Sequence, residues 1–86
     1  MAIAYVLINS DLGSDETIIA ETKNILSAQS EIQYEIQGVY GVFDVVLKLI
    51  SEDGANLRSI ITNKIRRIPQ VQSTLTMMVI DEQEKS

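Results

Sequence analysis

The residue type most able to do chemistry in this chain is a single acid in apolar surroundings. Asp44 lies in the run Val42-Phe43-Asp44-Val45-Val46-Leu47-Lys48-Leu49, directly after the glycine-containing pivot Gly38-Val39-Tyr40-Gly41. A carboxylate in such a run is costly to bury unless it is paired, hydrogen-bonded or placed at a functional opening. A second polar intrusion, Ser73-Thr74-Leu75-Thr76, opens the last apolar run. Together these groups suit a free amino acid. Asp44 can accept from its ammonium, while the amides of the Gly41 turn and the hydroxyls of Thr74 and Thr76 can hold its carboxylate. Each residue also has a plain structural role available: Gly41 as turn geometry, Asp44 as a cap of turn amides, and the threonines as strand formers. Only their joint occurrence points to a ligand.

Composition narrows the classes. With no histidine and no cysteine among 86 residues, the commonest general base, the strongest nucleophile and any disulfide are missing. No metal site or cofactor is expected, since only hard carboxylates remain as ligands. Glu35 and Asp44 fall on different strands and make a poor catalytic pair. The net charge of −5 disfavours nucleic acid, whose binding depends on neutralising phosphates. Lys64, Arg66 and Arg67 are the nearest thing to a basic patch, and they are read as cations at a helix end, where the dipole favours them. No apolar run is long enough for a membrane span, so a cytoplasmic setting is expected.

The elements that must carry these residues follow from periodicity. Ala2–Asn9 reads as a buried strand. Ser14 is the expected N-cap of a helix with Ile18, Ile19, Ile25 and Leu26 on its apolar stripe and a polar gap at Thr22. The alternation over Glu31–Val39 predicts a half-exposed edge strand. Val42–Ile50 reads as the most apolar strand, and Ser51-Glu52-Asp53-Gly54 as a turn with a second N-cap. Leu57, Ile60, Ile61, Ile65 and Ile68 mark a second helix stopped by Pro69. The last strand is expected over about Val71–Ile80, within a domain spanning 1–80, followed by a charged tail over 81–86.

Strand, helix, strand, strand, helix, strand is the order of a ferredoxin-like βαββαβ fold, an α+β architecture with a four-stranded antiparallel sheet and both helices on one face. Two helices cover only one side of such a sheet. The first strand is nevertheless apolar on both sides, and the third and fourth nearly so. An uncovered apolar face of that extent exceeds what a monomer normally exposes, so a two-fold dimer through that face is expected.

The pattern Gly-Val-Tyr-Gly-Val-Phe-Asp-Val-Val-Leu-Lys at 38–48, Leu57, and Ile65-Arg66-Arg67-Ile68-Pro69-Gln70-Val71-Gln72-Ser73-Thr74-Leu75-Thr76 resembles the RAM (regulation of amino-acid metabolism) effector domain of Lrp/AsnC regulators. The resemblance implies sheet-to-sheet dimers that assemble into rings, commonly tetramers of dimers (an octamer), with amino-acid effectors between adjacent dimers. It also implies ligand contacts at Tyr40, Gly41, Val42, Phe43 and Asp44, with Ser73, Thr74 and Thr76 beside them. Many members carry an acid where this chain has Val42. Members also carry a helix-turn-helix ahead of the first strand, where this chain begins, so a stand-alone effector domain that acts on a full-length regulator is expected. A ligand-free oligomerisation module and a cofactor-free ferredoxin-like enzyme are the alternatives, and the ACT domain is the nearest confusable fold.

Overall fold

In the computed structural model, residues 1–80 are described; the expected charged tail, 81–86, lies outside the described residues. The order is β1 (Ala2–Ser10), α1 (Asp15–Ser27), β2 (Gln33–Gly38), β3 (Val45–Ser51), α2 (Gly54–Asn63), a short 3-10 turn (Ile65–Arg67) and β4 (Val71–Met78). The strands form one sheet in the order β2-β3-β1-β4, with every neighbouring pair antiparallel. This is the ferredoxin-like arrangement. The two strand–helix–strand halves interleave so that β1 and β3, the two most apolar strands, take the centre. There each can bury a side-chain row and satisfy its backbone on both sides.

One face of the sheet is closed. Ala4, Val6 and Ile8 of β1 and Val45, Leu47 and Leu49 of β3 are fully buried against Ile18, Leu26, Leu57 and Ile65. The opposite face holds Ile3, Tyr5 and Leu7 beside Val46, Lys48 and Ile50 on one flank. Leu75 and Met77 lie on the other. No helix covers this face, and Leu75 and Met77 remain 49% and 45% exposed. The one cation in its middle, Lys48, places its Nζ 5.9 Å from the centre of the Tyr5 ring, and Glu35 stands directly across from it on β2. An aromatic neighbour helps a charge sit in an otherwise apolar surface.

Local details differ from the sequence reading in instructive ways. β3 starts at Val45 rather than Val42, so Phe43 and Asp44 belong to the connection and not to the ladder. β4 ends at Met78. Ser14 occupies the N-cap position of α1, but its side chain makes no capping bond. Asp53 does cap α2, its Oδ1 accepting from the amides of Ala55 at 3.0 Å and Asn56 at 3.3 Å. The α-helix ends at Asn63, ahead of Pro69, and the chain tightens into the 3-10 turn that carries Arg66 and Arg67. Thr22 is no gap in the α1 stripe: Ile18, Thr22 and Leu26 form one buried row at four-residue spacing.

Burial of Thr22 carries a cost, since its Oγ1 has no hydrogen-bond partner. A hydroxyl removed from water without a partner is destabilising by about 1–3 kcal/mol. Thr22→Val keeps the shape and removes the orphan, so it should stabilise the protein by about 1 kcal/mol in urea unfolding at fixed protein concentration. A loss of stability would mean that the hydroxyl is satisfied.

Candidate functional site

The end of the sheet where β1 finishes gathers the residues singled out from the sequence. The β1–β3 ladder stops at the pair Ile8–Val45. Beyond it the connection continues the pairing by other means. The Asp44 amide donates to the Ile8 carbonyl at 3.0 Å, and the Val39 amide donates to the Asp44 carbonyl at 2.9 Å. The Asp44 carboxylate then takes the next β1 donor. Its Oδ2 accepts from the Ser10 amide at 2.9 Å and from the Ser10 Oγ at 3.2 Å. Asp44 is thus a side-chain extension of the ladder, and its other oxygen is the one left for a cation.

The rest of the 39–44 connection is open. Tyr40 is fully exposed and Val42 is 86% exposed, while Phe43 is half-buried. Gly41 has φ of 158°, and a Cβ built there would meet nothing within 4 Å. Close approach to neighbouring atoms of its own protomer is therefore not what calls for glycine at this position.

On the other side of β1, β4 contributes the second group. Ser73 stands across from Asn9 and accepts from its Nδ2 at 3.2 Å. Thr74 and Thr76 stand across from Ile8 and Val6. Because Ile8 and Val6 point into the helix-covered face, Thr74 and Thr76 lie on that face and Ser73 on the opposite one. Between Asn9 and Ser10 the register shifts: Ser10 pairs with Val71, leaving Gln72 as an extra residue in β4. Bulges of this kind re-aim the side chains around them and are common beside functional sites.

Two hollows flank β4. One of about 100 Å³ is lined by Arg66, Val71, Gln72, Ser73 and Thr74. The other, about 240 Å³, is lined by Arg58, Ile61, Thr62, Arg66, Thr76 and Met78. Arg66 is common to both. The structure thus adds Arg58 and Arg66 to the residues beside Ser73, Thr74 and Thr76. From the sequence Arg66 was assigned to the helix dipole, yet it lies in the 3-10 turn beyond the α-helix. Four-residue spacing puts Arg58 and Thr62 on one flank of α2, but the break at Lys64 means that no helical period signals the position of Arg66 beside them.

The two groups lie on opposite sides of β1. The backbones of Asp44, in the connection, and Thr74, on β4, are two strand spacings or roughly 10 Å apart, with the Asp44 carboxylate reaching in to the Ser10 amide. Among the described residues no three of His, Cys, Asp and Glu gather as a metal site, and no helix is long and apolar enough to cross a membrane.

Architecture and site define a ferredoxin-like domain with one open apolar sheet face and polar groups at one end of the sheet. Residues 3–86 match the family described as the Lrp/AsnC ligand binding domain, and the chain belongs to that family. Among solved structures it is similar to FFRP-DM1 (31% identity, 93% of this chain and 100% of that one, TM-score 0.75). It is also similar to the hypothetical protein PHS023 from Pyrococcus horikoshii (33% identity, 95% and 93% covered, TM-score 0.73). AsnC from E. coli shares the fold at 20% identity and TM-score 0.76, with 99% of this chain matching 54% of that one. No curated protein is similar enough to count as a relative.

The geometry at Ser10 makes a specific demand on Asp44. Asp44→Ala should destabilise the fold by about 1–2 kcal/mol in chemical denaturation, because the partly buried Ser10 amide loses its acceptor. Asp44→Asn, which keeps an acceptor oxygen, should lose markedly less. Equal losses in the two variants would rule out this structural role.

Proposed function

We propose that this domain binds a free amino acid between copies of itself and couples that binding to assembly. The observation that carries the proposal is the division of the polar residues into two sets on either side of β1, about 10 Å apart. A ligand touching both sets would draw Asp44 and the 41–43 amides from one protomer and Thr74 and Thr76 from another. Asp44 would supply the free oxygen of its carboxylate to the ammonium. The 41–43 amides would meet the carboxylate, and Thr74 and Thr76 of a neighbouring copy would orient the ligand. Membership of the Lrp/AsnC ligand-binding family supports this reading. So does the regulator NMB0573 of Neisseria meningitidis, solved as a complex with L-Met, which shares the fold at 13% identity and TM-score 0.70. The domain acts in this view as a cytoplasmic sensor in transcription regulation and not as an enzyme. Its partners are its own copies and a full-length Lrp/AsnC regulator.

Assembly begins at the open sheet face. Ile3, Tyr5, Leu7, Val46, Ile50, Leu75 and Met77 form a surface on which burial against a second copy gains about 25 cal/mol for each Å² of apolar area. Two-fold symmetry lets the same patch serve both partners. Dimers formed in this way leave the β1 ends, the 39–44 connections and the flanks of β4 at the periphery, free to meet other dimers in a ring such as an octamer.

Two measurements check this function. The twenty amino acids, each at millimolar concentration, should include at least one that raises the melting temperature, since a ligand of the native state must stabilise it. Asp44→Asn should abolish that response. No stabilisation by any of them, with the assembly intact, would leave an oligomerisation module. Leu75→Glu places a charge on a side chain that a single copy already exposes. It should lower the mass seen by light scattering without loss of helical signal; an unchanged mass would refute the sheet-face contact.

A further inference from the structure

The larger hollow on the flank of β4 has a chemistry of its own. α2 lies over β3 and β1, whose residues on that face are fully buried. On β4 the same face is left uncovered: Thr76 is exposed and Met78 half-buried. The resulting groove of about 240 Å³ is lined by Arg58, Arg66, Thr62, Thr76, Ile61 and Met78, with no acidic residue in the lining among the described residues. Neither guanidinium enters a side-chain hydrogen bond among the described residues. In a chain of net charge −5 with only seven Lys and Arg, two arginines converging on one groove with no acid in its lining need an explanation.

We infer that this groove binds a net-anionic small carboxylate with a short apolar chain, an α-keto acid in preference to an amino acid. The planar, five-donor guanidinium matches a carboxylate with two parallel hydrogen bonds, and both Arg58 and Arg66 line the groove. The hydroxyls of Thr62 and Thr76 donate to the keto oxygen, and Ile61 and Met78 take the apolar chain. An α-amino acid is disfavoured in the same position. Its ammonium would share the groove with two like charges, and among the described residues no carboxylate lines the groove to accept from it. The inference rests on the proposed function in treating the domain as a small-molecule binder; it shares Thr76 with that site but not Asp44 or the 41–43 amides, and its ligand class is different.

The test uses the full chain with α-ketoisocaproate, L-leucine and acetate as probes at matched ionic strength, followed by calorimetric titration and thermal melting. Wild type, Asp44→Asn and the double variant Arg58→Gln/Arg66→Gln are compared. Both arginines are exposed, so the double variant should keep its far-UV spectrum and unliganded melting temperature. α-Ketoisocaproate should bind wild type and Asp44→Asn alike, and the double variant at least about tenfold more weakly. Acetate should have no effect at the same concentration. No binding to wild type, equal binding to the double variant, or an equal effect of acetate would each overturn the inference. Binding of L-leucine that Asp44→Asn abolishes, without a keto-acid response, would overturn this site and leave the amino-acid site standing. A keto-acid response in a protein that none of the twenty amino acids stabilises would do the reverse.

Discussion

The central strand β1 is apolar on both sides, and the fold supplies helices for only one of them. Ala4, Val6 and Ile8 point into a covered, fully buried layer, while Ile3, Tyr5 and Leu7 point into a face on which no helix lies. This asymmetry follows from the order of elements, since both strand–helix–strand halves cross over on the same side of a single sheet. In a chain of 86 residues with no disulfide, one covered layer makes a small core. Burial of the second apolar layer against another copy, as proposed, would complete that core. With one face packed and the other apolar, the polar groups stand at the end of the sheet and at its β4 edge.

At the sheet's end, one carboxylate extends the backbone architecture. Asp44 takes the Ser10 amide where the β1–β3 ladder has run out, and so ties the exposed 39–44 connection to the central strand. A loop held at its base in this way can present Tyr40 and Val42 to a neighbour without much ordering cost on contact, which is the usual advantage of a pre-formed binding segment. One carboxylate oxygen, Oδ2, is spent on the fold, which leaves the other for the proposed ligand.

The β4 edge obeys a different rule. Helix α2 does not reach far enough over the sheet to cover β4, and the bulge at Gln72 alters the course of that strand. The strip left open is polar and cationic where the centre of the same face is entirely apolar. Arg66 joins the two hollows there, so Ser73 and Thr74 in one and Thr76 in the other share a charged neighbour.

Much of this was legible in the chain alone, for physical reasons that differ by element. Alternation over Glu31–Val39 marked the edge strand, apolar spacing marked both helices, and the turn Ser51-Glu52-Asp53-Gly54 marked a cap that the structure assigns to Asp53, because each signal is local. The count of helices against apolar strand faces was enough to show that one face would stay open. Tertiary structure alone decided the rest. Ser10 and Asp44 are 34 positions apart, and nothing local indicates that the acid would serve a β1 amide rather than a ligand. Thr22 looked like a gap in a stripe because its type is polar, whereas packing placed it in the core. The division of the candidate residues across β1, and the meeting of Arg58 and Arg66 with Thr76, depend on strand order, register and one bulge. Those are set by how the whole sheet packs, and a sequence read window by window carries no record of them.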